Sequence, residues 1–234
     1  MIPLRDSTPS GAVPYVTIFI IILNSLVFLY EMSLGPQLEQ FLSAYGLTPI
    51  KVTESSRFSG GFWHNAVAPM FVSLFMHGGL LHIVGNMWFL WIFGDNIEDR
   101  LGHGKFFFFY LLCGIGATLI HVAFHPHSNI PTIGASGAIS GVLGAYLVTY
   151  PHARVYTLLI IVVLIRFVEI PAFVFLLIWI GFQFVSGASE FGVAQDTAGV
   201  AYWAHIGGFF VGILLLWIMP KNPERLVRAW HENR

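Results

Sequence analysis

Residues 134–150 read GASGAISGVLGAYLVTY, so that Gly134, Ala135, Ser136 and Gly137 open an apolar run that closes at Tyr150. No Asp, Glu, Lys or Arg occurs between Lys105 and Arg154. A run of this kind is a membrane helix, and it is a short one. At 1.5 Å per residue, Ser136 to Tyr150 covers about 22 Å, against a hydrocarbon core of about 30 Å. If Tyr150 and Pro151 mark one surface, Ser136 lies about 8 Å below the other. Irregular backbone at that depth is tolerated only inside protein or beside water. The stretch therefore predicts a hydroxyl framed by glycines at the floor of a wet, outward-opening cavity.

The rest of the chain agrees with a membrane setting. Of 234 residues, 56% are hydrophobic and 10% charged, where a soluble domain carries roughly 25% charged residues. The net charge of −1 gives nucleic acid no electrostatic attraction. The single cysteine, Cys113, lies in an apolar run and reads as a small packing residue.

A spanning helix takes about 20 apolar residues. Six segments fit, at about 13–33, 79–94, 105–124, 136–150, 169–187 and 199–219. The first is longer than a signal-peptide core and is followed by no small-x-small cleavage site, so it reads as a retained helix. Residues 155–168 are also apolar, and are expected to extend the fourth segment or form a re-entrant piece. With six helices and a cytoplasmic N-terminus, the inner side holds Arg5, Arg100, Lys105, Arg154, Arg166, Lys221, Arg225, Arg228 and Arg234, and the outer side only Lys51 and Arg57. This obeys the positive-inside rule; a seventh span would send the C-terminal cluster outward. The expected organisation is an all-α polytopic bundle. It has a cytoplasmic segment 1–12, a membrane domain 13–219, and a cytoplasmic tail 220–234. The aromatic-rich outer loop, about 34–78, is expected to lie in the membrane interface.

Depth brings the polar residues together. The second, fourth and sixth segments all enter from the outer side, so His82, Asn86, Ser136 and His205 fall at similar depth. Polar side chains inside a membrane face the bundle interior or water and default to a functional reading. Ser136, Ser140 and Gly144 recur at i, i+4 and i+8, and Gly208 and Gly212 form a matching face on the sixth segment. Small-residue faces allow close approach of helices in lipid, and this docking carries His205 towards Ser136. Imidazole near neutral pH has the basicity to take a serine proton. The oxyanion of an attacked peptide carbonyl needs donors in place. Asn86, His82 and the free backbone N–H of Ser136 at a helix start are candidates. Asp196 and Glu190 lie in the last outer loop, too shallow to orient His205, so a Ser–His dyad is expected.

At these residues the chain resembles the rhomboid intramembrane serine proteases, over about 70–215. Gly134-Ala135-Ser136-Gly137 resembles the family's nucleophile motif. Ala204-His205-Ile206-Gly207-Gly208, with Gly212, resembles its base motif. His77, His82 and Asn86 match its H-x-x-x-x-H-x-x-x-N pattern, and Gly94, Glu98 and Gly102 its G-x-x-x-E-x-x-x-G turn after the second helix. The resemblance implies a six-helix fold that cleaves transmembrane proteins near the outer face without metal or nucleotide. It implies Ser136 as nucleophile, His205 as base, His82 and Asn86 as oxyanion donors, and His77, Gly134, Gly137 and Gly208 in support. It also implies substrate entry beside the fifth helix, here about 169–187. The chain departs from the family at two places. Ala68-Pro69 stands where many relatives carry Trp-Arg, and Ser140 where some bacterial members carry a Tyr that stacks on the base.

Two other readings stand beside the protease. One is an inactive relative that binds or traffics transmembrane clients, which usually lack the serine or histidine. The other is a transporter or haem-type electron carrier, but no internal repeat is visible, and paired axial histidines leave Ser136 and Asn86 without a role. The short soluble ends point to a bacterial cytoplasmic membrane. The sequence leaves the substrate and the oligomeric state open.

Overall fold

Mainly apolar runs fold here into helices packed around one of their number. The computed structural model describes residues 1–161, 164–190 and 199–222. Asp196 and most of the tail 220–234 lie outside the described residues. The helices are α1 (Tyr15–Ser33), α2 (Leu38–Tyr45), α3 (Pro49–Thr53), α4 (Ala68–Val72), α5 (Leu80–Leu101), α6 (His103–Phe124), α7 (Ser136–Thr149), α8 (Ala172–Ser189) and α9 (Tyr202–Ile218).

Helix α7 is the centre. Every residue from Gly137 to Tyr146 is buried, as expected of a helix apolar all round. It packs on α6 and α9 through glycines. A β-carbon added at Gly208 or Gly212 of α9 would fall onto the carbonyl of Gly137 or Gly141 of α7, and one at Gly144 onto the carbonyl of Phe209. On the α6 side, a β-carbon at Gly137 would lie 2.7 Å from the Ala117 methyl, and one at Gly141 would run into Cys113 Sγ. The contact face of α7 is thus Gly137, Gly141 and Gly144, which keeps Gly144 of the expected face and replaces Ser136 and Ser140 by the residues after them. The shift has a simple cause: only glycine allows carbonyl-to-backbone contact.

Helices α1, α6 and α8 are each long and apolar enough to cross a membrane, and α7 and α9 are shorter apolar helices. The helical stretch Trp63–Phe75 bends by 79° into α5, and that pair passes the same test as one broken span. Large apolar side chains such as Leu26 and Leu29 on α1, Phe182 and Val185 on α8 and Trp217 on α9 are exposed. A surface of this kind needs lipid around it.

The all-α expectation requires correction. The described residues of 155–168 neither extend α7 nor form a helix. Strands β2 (Arg154–Ile161) and β3 (Leu164–Pro171) form an antiparallel hairpin. With β1 (Ile2–Asp6) they make a three-stranded sheet in the order β1-β2-β3. Pro151 and Pro171 bracket this segment, and Val155, Tyr156, Thr157, Ile160, Ile165, Phe167, Val168 and Ile170 are strand-favouring types. The strand β1 fixes the N-terminal segment to the bundle. Arg5 sits 4.4 Å over the Tyr156 ring, and Asp6 accepts hydrogen bonds from Tyr146 and Asn96.

The region 34–78 is not a plain loop but a series of short helical turns and the bent stretch Trp63–Phe75, with Phe62 and Trp63 exposed and Leu74 and Met76 buried. The Gly94, Glu98, Gly102 motif also differs from a turn. Its first two residues lie in the last two turns of α5, and Gly102 links α5 to α6 at φ +84°. Glu98, 1% exposed, caps α1. Its carboxylate accepts the N–H groups of Val16 (2.9 Å) and Thr17 (2.7 Å) and the Thr17 hydroxyl (2.7 Å). These are orphan donors of a helix start.

Candidate active site

Ser136 is the first residue of α7, after Ala135. The chain reaches it through Gly134, held at φ +125° with its N–H on the Ser73 carbonyl (2.8 Å). A residue with a side chain is strained there and also lacks room. A β-carbon on Gly134 would lie 2.7 Å from His82 Nε2 and 3.7 Å from Ser136 Oγ. His82 and the Ser136 hydroxyl therefore flank the same small space.

His205 is in the first turn of α9. The glycine contact between α7 and α9 lies just beyond it, and sets the two helix starts side by side. His205 Nε2 is 2.8 Å from Ser136 Oγ. The other ring nitrogen, Nδ1, is 2.8 Å from Oε1 of Gln183 on α8. Trp179 and Tyr202 flank the ring, with centroids at 6.0 Å and 6.5 Å. Ser136, His205, Gln183 and His82 are all half-buried.

The remaining expected residues lie on or beside α5. Asn86 sits one turn along from His82 and is buried, and among the described residues its Nδ2 has no hydrogen-bond partner. A buried amide without a partner is costly. His77 is buried, with its ring against His82 (centroids 5.1 Å). Its backbone N–H is shared between the carboxylate oxygens of Glu31 at 3.2 and 3.3 Å. It thus ties the bend before α5 to α1. Gly208 packs against Gly137, as described above.

Neither Ser140 nor Glu190 meets His205 among the described residues. Ser140 does not orient the base; its hydroxyl donates to the Ser136 carbonyl (2.6 Å), the nearest acceptor one turn back. Glu190 lies 3.6 Å from His125, at the C-terminal end of α8. Gln183, unremarked in the sequence, is the side chain that meets Nδ1. Its signal was present: an amide in the middle of an apolar helix is a functional marker by default.

Comparison with known proteins adds the relationship. The Rhomboid domain family model matches residues 62–222. Among curated proteins, the mitochondrial presenilin-associated rhomboid-like protein of Bos taurus is 34% identical over 183 residues, 71% of this chain and 43% of the relative. The mitochondrial rhomboid protein 1 of Saccharomyces cerevisiae is 29% identical over 157 residues, 65% of this chain and 42% of the relative. Rhomboid protease GluP of Bacillus subtilis is 28% identical over 207 residues, 88% of this chain and 36% of the relative. The chain thus spans less than half the length of these relatives. A multi-pass membrane protein is supported. Two of the three relatives are mitochondrial by name, so the expected bacterial membrane gains no support.

Proposed function

The chain belongs to the rhomboid family, and from that premise we propose that it is an intramembrane serine endopeptidase acting on transmembrane proteins. The observation that carries this reading is the 2.8 Å contact between His205 Nε2 and Ser136 Oγ, made by helices whose backbones touch. The inactive alternative is not favoured, since both groups are present and within hydrogen-bond reach.

The chemistry runs as in other serine hydrolases. Ser136 Oγ attacks the scissile carbonyl as its proton passes to His205 Nε2. The oxyanion is held by the Ser136 N–H, Asn86 Nδ2 and His82, aimed at where charge develops. Collapse breaks the peptide C–N bond, and Nε2 returns the proton to the leaving amine. Water, deprotonated by the same nitrogen, then cleaves the ester and frees Ser136. No metal or nucleotide enters these steps.

We further assign six spans: α1, the bent pair ending in α5, and α6, α7, α8 and α9. The N-terminal segment 1–12 and the tail 220–234 lie on the cytoplasmic side, and the site faces the outer side. The distribution of Lys and Arg supports this orientation. The region 34–78 is assigned to the outer membrane interface, on the strength of its exposed Phe62 and Trp63.

The test is reconstitution in liposomes with a single-span reporter protein. Cleavage near the outer end of the reporter span, abolished in Ser136→Ala, supports the proposal. Reporter left intact by wild type, or cut equally by Ser136→Ala, ends it.

A further inference from the structure

The second ring nitrogen of His205 has a definite partner, and the chemistry of that partner fixes the state of the ring. An amide oxygen only accepts. The 2.8 Å contact from Nδ1 to Gln183 Oε1 therefore requires the proton on Nδ1, which leaves the Nε2 lone pair facing Ser136. Amide orientation is set independently. Gln183 Nε2 donates to the Trp179 carbonyl one turn back on α8 (3.5 Å), so its oxygen is the end turned to the histidine. The chain of polarity runs from α8 through His205 to the hydroxyl of Ser136, with each donor matched to an acceptor.

We propose that Gln183 is the positioning residue of the base: it selects the His205 tautomer that can accept the serine proton, and holds the ring in that orientation. The site is then a Ser136–His205–Gln183 relay rather than a dyad. Gln183 itself takes no proton. During acylation the Ser136 O–H bond breaks, the proton goes to Nε2, and Nδ1–H continues to donate to the amide oxygen. The neutral amide supports the imidazolium less than a carboxylate does. Helices α7 and α9 carry the reacting groups, so the base is steered from a third helix, α8. The titratable groups whose charge reaches the ring from the other packed helices are His82 on α5 and His121 on α6. Neither makes a hydrogen bond to it among the described residues.

This inference rests on the protease reading and is tested so that the two fail separately. Full-length protein in detergent is labelled with a fluorophosphonate, and the maximal rate and the half-saturating concentration are measured against pH for wild type, Gln183→Leu, Gln183→Glu and Ser136→Ala. Gln183→Leu is expected to lower the maximal rate by about tenfold or more with half-saturation unchanged. Gln183→Glu, which keeps the acceptor and adds charge, is expected to keep labelling and move the acid limb of the rate profile up by about one to three pH units. Wild-type rate in Gln183→Leu overturns the proposal. So does an unmoved limb in Gln183→Glu, whatever Gln183→Leu does, because a residue that only packs leaves the limb in place. Labelling that persists in Ser136→Ala instead defeats the underlying nucleophile assignment.

Discussion

Gly208 of α9 lies so close to the carbonyl of Gly137 of α7 that a β-carbon at 208 has no room. That contact is one turn from His205 on one helix and next to Ser136 on the other. The depth at which the helices touch sets how near the imidazole comes to the hydroxyl. Gly208→Val is therefore expected to cost about 1–3 kcal/mol through overpacking and to abolish labelling of Ser136. Gly85, on α5, has nothing within 4 Å of an added β-carbon. Gly85→Ala is expected to leave both melting temperature and labelling intact. A Gly208→Val protein with wild-type labelling contradicts the docking argument.

Gly134→Ala separates site geometry from bundle stability. The added carbon meets His82 Nε2 at 2.7 Å, in backbone at φ +125°. The expected cost in stability is about 1–3 kcal/mol, with labelling lost or severely slowed because His82 and the approach to Ser136 must move. Thermal unfolding and fluorophosphonate labelling on one preparation check both halves.

For Asn86→Ala, activity and stability are expected to part company. Removing one oxyanion donor costs up to about 10²–10³ in turnover, and fewer-fold where His82 and the Ser136 N–H compensate. The Nδ2 of Asn86 has no partner among the described residues, so its loss breaks no hydrogen bond in the resting protein. Turnover is expected to fall while the melting temperature holds or rises. Full turnover in the variant removes Asn86 from the site.

Glu98→Ala probes the scaffold. It strips three charge-assisted hydrogen bonds from the start of α1, and is expected to cost about 2 kcal/mol or more. Thr17→Val, which removes only the hydroxyl, is expected to cost less. Equal melting temperatures for wild type and Glu98→Ala would show that α1 needs no cap from α5.

Much of this arrangement was legible in residue order. Long apolar runs gave the starts of the six membrane helices to within three residues, since nothing competes with helix for a buried backbone in lipid. Helix α5, however, continues past the expected end at 94 to Leu101, through the charged Asp95, Glu98, Asp99 and Arg100. Ser136 and His205 stood out because helix direction and length put them at one depth. Three features did not read through. The 155–168 run is apolar and short, and periodicity alone does not separate a buried strand from a helix segment; its bracketing prolines were the usable cue. The α7 seam runs through Gly137 and Gly141 rather than Ser136 and Ser140, because serine and glycine are both small while only glycine admits a carbonyl. Gln183 carries no motif, and its role appears only when α8 is placed beside α9.

The most direct test of the central claim is a mass-spectrometric map of the fluorophosphonate adduct on the full chain in lipid, in wild type and His205→Ala. The account predicts one modified peptide, carrying the adduct on Ser136, and its loss when His205 is replaced. An adduct on another residue, or undiminished modification of Ser136 without His205, contradicts it.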